Sequence, residues 1–184
     1  MKMETLQELY LEQLKDIYDA ENQLMKALPK MAKEATNEEL KACFEQHLEQ
    51  TEEQISRLDQ IFEELGEKSK GHKCKAMAGL VEEGKELMAE DAEEDVMDAA
   101  LICAAQKIEH YEIATYGCLR TYAEMLGFDE QADLLQETLD EEKDTDENLT
   151  ELAVSCINLE AEDESDEEES DESEEKQPAR GRGK

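Results

Sequence analysis

An all-α fold, a bundle of four long helices with one long crossover, is what this 184-residue sequence predicts. Three observations carry the prediction. The composition is rich in Leu, Ala, Glu, Lys and Gln, with two prolines and no tryptophan, and so favours helix throughout. Apolar residues recur at spacings of three and four along four long stretches, the period of a helix that buries one stripe. Two of the links between those stretches are only a few residues long, whereas the middle one takes about thirty, from Glu67 to Asp95.

Thr5 and Glu8 have capping-box spacing, and the inward stripe of helix one then runs Leu6, Leu9, Gln13, Ile17, Glu21, Leu24, Leu28, Met31. Pro29 falls inside this pattern and removes a backbone bond, so a kink or local break is expected near Met25–Leu28. Thr36 and Glu39 have the spacing of a second capping box. Helix two follows along Leu40, Phe44, His47, Thr51, Gln54/Ile55, Leu58 and Phe62 to Leu65, where Gly66 can supply the left-handed residue that ends it. The long link contains a short amphipathic piece around Met77, Leu80, Val81, Leu87 and Met88, read as a short extra helix.

Helix three is predicted from about Asp95 to Leu126, with Leu101, Ala105, Glu109, Glu112, Tyr116, Leu119 and Ala123 on one side and Gly127 at its end. Helix four begins at Asp129 and carries Leu135, Thr138, Glu142, Thr145, Leu149 and Leu152 on its seam. Tight hairpins make antiparallel neighbours, and a long middle link makes the order up-down-down-up. That is the ferritin-like connectivity. The bundle is placed at residues 1–157. From 158 to 184 the chain is an acidic run closed by Lys-Gln-Pro-Ala-Arg-Gly-Arg-Gly-Lys, too polar to offset its ordering entropy, and disorder is expected there. The tail reads first as a solubilising segment, and otherwise as a dock for a basic protein partner or a loose cation collector.

The formal charge is −33, and because the last 26 residues hold twelve acids and four bases, −25 remains on the rest. Such a surface repels nucleic-acid backbones and anionic membranes, so neither is expected as a partner. The longest apolar run, Ala99 to Ala105, is too short to span a bilayer, and no secretory signal is read at the N-terminus. Five scattered cysteines without a CxxC pair fit reduced thiols in a cytoplasmic protein. No nucleophile–base–orienter set and no Gly-rich phosphate loop stands out, which leaves hydrolase and nucleotide-binding chemistry without support.

The anomaly lies on the seams. Glu21, His47, Glu109, Glu112 and Glu141/Glu142 fall on stripes that should be apolar. Each buried carboxylate costs several kcal/mol unless paired, and together they rival the about 5–15 kcal/mol net stability of a whole domain. Counting equal distances from each hairpin turn brings Glu21 near His47 and Gln50, and Glu112 near Glu141 and Glu142, all around mid-helix. A multivalent cation shared by four helices would make their company tolerable. Several oxygens with one imidazole suit iron or manganese better than thiolate-seeking metals. The competing readings are a buried ion pair for the glutamates and a hydrogen-bonded core histidine for His47. Seam spacing favours Glu142 over Glu141. Tyr18, Tyr111 and Tyr116 are candidates to hydrogen-bond the ligand carboxylates, or else packing aromatics, while His72, His110, Lys107 and Arg120 read as surface residues.

Several longer stretches are specific enough to compare. They are Leu-Lys-Asp-Ile-Tyr-Asp-Ala-Glu-Asn-Gln-Leu (14–24), His-Leu-Glu-Gln-Thr (47–51) and Cys-Lys-Ala-Met-Ala-Gly-Leu-Val-Glu-Glu (74–83). Two more are Ala-Ala-Leu-Ile-Cys-Ala-Ala-Gln-Lys-Ile-Glu-His-Tyr-Glu-Ile-Ala (99–114) and Glu-Thr-Leu-Asp-Glu-Glu-Lys-Asp-Thr-Asp (137–146). Through them, residues 1 to about 157 resemble the YciF/YciE-type ferritin-like stress proteins, relatives of rubrerythrin in fold. The resemblance implies a ferritin-like bundle, a homodimer, a di-iron site of about two ions per chain and a part in stress responses. The sequence departs from the wider di-iron pattern, which repeats Glu-x-x-His on two helices. Helix two has His47 without the preceding Glu, and helix four has Glu141-x-x-Asp144 or Glu142-x-x-Thr145 and no histidine. Three functional readings follow. The first is a metal-binding stress protein that, if an enzyme, consumes O₂ or peroxide with Fe(II) oxidation. The second is an acidic bundle that has lost metal chemistry and serves as an interaction or structural protein. The third and weakest treats the acid excess as adaptation to high salt.

Overall fold

A computed structural model describes residues 3–162 of the chain. The tract from 163 onward, and the disorder expected of it, lie outside the described residues. Five α-helices follow in order: α1 Leu6–Glu34, α2 Glu38–Leu65, α3 Lys75–Leu87, α4 Glu94–Leu126 and α5 Asp129–Leu152. A π-helical turn, Ala153–Ile157, extends α5, and helix continues through Glu162, past the boundary expected at 157. Among the described residues there is no strand. The π turn was not legible beforehand; Ala153 and Ile157 within it are buried.

The caps show how local chemistry sets the ends. Thr5 Oγ1 accepts from the Glu8 amide (3.2 Å) and Glu8 Oε2 accepts from the Thr5 amide (3.0 Å), the capping box read from sequence. The second expected box does not form. Asn37 is the N-cap of α2, its Oδ1 accepting from the amides of Glu39 (3.0 Å) and Leu40 (3.1 Å). Thr36 is drawn away by Asp98, whose buried carboxylate accepts from the Thr36 amide (3.0 Å), Thr36 Oγ1 (2.7 Å) and the Asn37 amide (2.7 Å). Gly66 (φ 65°) and Gly127 (φ 77°) end α2 and α4 in the left-handed region, as expected.

Pro29 does not break α1. It lies on the exposed side, and Leu24, Ala27, Leu28 and Met31 around it are held in the core, so packing outweighs the lost backbone bond. At the start of α1 the buried residues are Tyr10 and Leu14 rather than Leu9 and Gln13. Tyr10 Oη donates to Gln131 Oε1 (3.0 Å) and its ring lies 6.0 Å from that of Phe128, which rotates the helix toward α5.

Two contacts settle the topology. Asp98, early in α4, ties that end to the α1–α2 turn, and Tyr10, early in α1, meets Gln131 at the start of α5. The helices therefore run up, down, down, up. In cross-section α1 pairs with α2 and α4 with α5, while α1 lies against α4 and α2 against α5. The crossover helix α3 packs on α1 and α4. Apolar layers fill both ends, with Leu14, Leu58 and Leu135 at one and Leu28, Phe44 and Leu101 at the other. The polar seam residues are caught between them.

Candidate metal centre

Every long helix puts a polar side chain into that middle layer, because a single stripe of each faces the axis. Glu21 comes from α1, His47 from α2, Glu109 and Glu112 from successive turns of α4, and Glu142 from α5. None is more than 2% exposed. One ligand atom each from His47, Glu109, Glu112 and Glu142 lies within 4.8 Å of the others. His47 Nε2 is 3.3 Å from Glu109 Oε1 and 3.7 Å from Glu142 Oε2. Glu21 joins from the side, and its charge acts directly on Glu109 and Glu112. Tyr116 donates a short hydrogen bond to Glu21 Oε1.

The imidazole tautomer follows from its other neighbour. His47 Nδ1 lies 3.5 Å from Thr145 Oγ1, and that hydroxyl gives its proton to the Glu141 carbonyl (3.1 Å). With that proton on the carbonyl, Thr145 Oγ1 can accept from Nδ1–H, the tautomer that turns the Nε2 lone pair toward the carboxylate oxygens. That arrangement is repulsive unless a cation or a proton comes between.

The carboxylates are no better satisfied. Glu21 Oε2, Glu109 Oε2, both oxygens of Glu112, both of Glu142 and His47 Nε2 are buried without a hydrogen-bond partner. Among the described residues no lysine or arginine pairs with any of these carboxylates; the basic group beside them is the His47 imidazole, 3.3 Å from Glu109 and 3.7 Å from Glu142. Burial, then the charge of neighbouring carboxylates, holds Glu21, Glu109 and Glu112 well above the ordinary carboxylate range. Burial raises Glu142 as well, against the opposing pull of His47. One imidazole and four carboxylates fit a hard or borderline divalent ion, and the unpartnered atoms are the lone pairs such an ion would take.

These shifts set the pH dependence of the metal-free fold. Carboxyls raised above their ordinary 4.5 bind protons in the fold that the unfolded chain has already released. Their stabilising effect is complete below that value and lost as pH climbs through the folded pKa. Denaturant titrations in chelator are therefore expected to show lower stability at pH 8 than at pH 5, and saturating Mn(II) is expected to flatten that slope. General repulsion on an acidic surface has the same sign but does not respond to one bound ion, so the flattening isolates the cluster.

Other expected residues lie elsewhere. Glu141 is turned out of the cluster, its carboxylate gripped by Arg57 through two 2.7 Å bonds. Adjacent helical residues point about 100° apart, so only one of Glu141 and Glu142 can face inward. Of the three tyrosines, only Tyr116 touches a cluster carboxylate. Tyr111 Oη donates to Asp16 Oδ2 (2.8 Å) beside Cys74, and the ring of Tyr18 packs edge-on against Phe62 at 5.7 Å. His110 pairs with Asp146 and His72 with Asp16, while Lys107 pairs with Glu83 and Arg120 with Glu124, all surface contacts. Gln54, seven residues past His47, and Thr145 already lay on inward stripes in the sequence, without an assigned role. Arg57 was not singled out from sequence and becomes meaningful only beside α5.

All five cysteines are free thiols, and no helix among the described residues is long and apolar enough to cross a membrane. A family profile described as a domain of unknown function (DUF892) matches residues 5–162. Protein YciF of Escherichia coli K12 is 49% identical over 166 residues, which are 90% of this chain and 100% of that one. The crystal structure of that stress protein superposes with a TM-score of 0.82 at 50% identity, covering 85% of this chain and 99% of the other. YcfI of Rhodopseudomonas palustris, titled a candidate structural protein, gives 0.79 at 46% identity, covering 81% and 95%. A Xanthomonas campestris protein with 22% identity, covering 88% and 99%, shares the fold at 0.68. With its bundle matched from end to end, this chain belongs to the DUF892 family of YciF-type ferritin-like proteins.

Proposed function

We propose that this protein binds divalent iron or manganese in the four-helix layer, about two ions per chain, and serves in oxidative or general stress defence. The observation that carries this reading is the set of buried, unpartnered donor atoms on Glu21, His47, Glu109, Glu112 and Glu142. Charge supports the number. The four carboxylates, with a neutral imidazole, are balanced by two divalent ions. Iron bound there would supply electrons to peroxide or O₂. The surrounding residues have clear work: Thr145 can accept from Nδ1–H of His47, the tautomer that leaves Nε2 free to ligate, Tyr116 orients Glu21, and the apolar layers exclude water. The stress role draws on the description of the Escherichia coli relative. A cytoplasmic homodimer remains part of the proposal, to be read by sedimentation.

The second reading is a structural or interaction bundle without metal chemistry. The lone histidine favours it, as does the description given to the Rhodopseudomonas relative. Metal analysis of protein purified without chelator separates the two. About two iron or manganese ions per chain, lost in a Glu21→Ala/Glu112→Ala variant, is the result expected. No metal, together with a melting temperature indifferent to Fe(II) and Mn(II), would establish the second reading instead.

A further inference from the structure

A centre this deeply enclosed needs a way in. Its ligands are sealed above and below by apolar layers, and α3 packs across the α1–α4 side. The α2–α5 seam lies on the opposite side of the bundle, and a continuous polar chain crosses it. At the surface stand Glu53 and Glu137, both well exposed. Between them lies Arg57, largely covered, with Nη2 3.1 Å from Glu137 Oε1 and 3.8 Å from Glu53 Oε2. Its guanidinium is bidentate on Glu141 and also donates to Thr138 Oγ1 at 3.2 Å. Beneath it, Gln54 Nε2 donates to Glu141 Oε2 at 3.1 Å, and the same amide lies against Glu142 of the inner cluster. Gln54 is fully buried, and its Oε1 has no partner.

We propose that Glu141 and the Gln54 amide oxygen form an outer, transient site for a divalent cation, the entry to the inner cluster, and that Arg57 is the counterion the cation displaces. The inference rests on the metal-binding reading above. Three carboxylates around one guanidinium leave the mouth of the seam net negative, which concentrates divalent cations there. An arriving ion competes with Arg57 for Glu141. Once the guanidinium swings toward Glu53 and Glu137 and the Gln54 amide turns over to exchange Nε2 for Oε1, the freed carboxylate and the amide oxygen supply oxygen ligands of the kind hard cations take. Glu142 is the next carboxylate inward, so the ion passes from one oxygen donor to another. With three carboxylates and one guanidinium the mouth carries a net −2, which the two charges of the arriving ion neutralise while it is held there. The arrangement also gives Glu141 a role distinct from that of Glu142, its neighbour in the chain.

A gate alters rates, and a ligand alters equilibrium; the test uses that difference. Full-length protein stripped with chelator is mixed with Mn(II), and loss of the free-ion paramagnetic signal gives the loading rate. Release into excess chelator gives the off-rate, and equilibrium dialysis gives affinity and stoichiometry. Glu141→Gln is expected to slow loading and release together by about tenfold, within the range by which local charge changes association, leaving the dissociation constant nearly unchanged. Arg57→Gln, which empties the outer site of its resident charge, is expected to speed both. Wild-type loading and release in both variants would overturn the route and leave the inner site standing. A Glu141→Gln variant that weakens affinity at an unchanged loading rate would make Glu141 an inner ligand and overturn it as well. Wild-type protein that takes up no Mn(II) would remove the route and the metal reading together.

Discussion

Glu112→Gln is expected to abolish stabilisation by metal and, in the same molecule, to make the metal-free fold more stable at neutral pH. Both carboxylate oxygens of Glu112 are buried and unpartnered, and the neighbours that act on it are Glu21, Glu142 and Glu109, all acidic. Metal-free, the side chain costs the fold either a buried charge or the proton needed to neutralise it. A glutamine of the same shape removes that charge and offers an N–H to the adjacent carboxylates, a gain on the order of 1–3 kcal/mol. In wild type, Mn(II) at a hundred times its dissociation constant should add about 2.7 kcal/mol. At about 2–4 °C per kcal/mol for a chain of this size, that is a rise of roughly 5–11 °C in melting temperature. The variant should show a raised baseline in chelator and a negligible response to Mn(II) at pH 7.5. A lower baseline with a full response would mean that this carboxylate holds the fold together and binds nothing.

Asp98→Ala is expected to produce the largest loss of stability of any single surface-distant polar change, about 3–5 kcal/mol. The Asp98 carboxylate gathers two backbone amides and a hydroxyl from Thr36 and Asn37, and it is only 1% exposed. Alanine would leave those donors without partners at the turn where α1 hands the chain to α2, each costing about 1–3 kcal/mol. Asp98→Asn keeps the shape and part of the acceptor capacity, and should lose less. Urea titration reads both, as a fall in midpoint at unchanged slope. A loss below about 1 kcal/mol for alanine would show that water replaces the carboxylate there without penalty. Since Asp98 also pins the start of α4 beside the α1–α2 turn, this residue helps choose the direction in which α4 runs.

Much of the architecture was legible in the chain because helices declare themselves locally. Apolar periodicity, Gly66, Gly127 and the Thr5–Glu8 box are properties of short segments, and they locate elements without knowledge of the partners. Link lengths then allow only a few topologies. The seam residues Glu21, His47, Glu109, Glu112 and Glu142 were legible for the same reason: a charge on an apolar stripe is visible before the stripe has anything to pack against. What failed was decided by contacts far apart in sequence. Asp98, sixty-two residues beyond Thr36, takes the threonine out of its expected box. Tyr10 reaches Gln131 across 121 residues and shifts the start of the α1 stripe. Arg57 claims Glu141 from another helix, and packing on both sides carries α1 through Pro29.

By itself, then, the sequence determined four amphipathic rods, their order, and the presence of too many acids on their inner faces. These follow from covalent geometry and from the cost of hiding charge. Only the tertiary structure decided that Arg57 holds Glu141 away from the cluster, that Thr145 stands beside Nδ1 of His47, and that Gln54 links the Glu141 carboxylate to the inner layer. Those outcomes depend on hydrogen bonds between helices, whose partners exist for one another only after the bundle has closed.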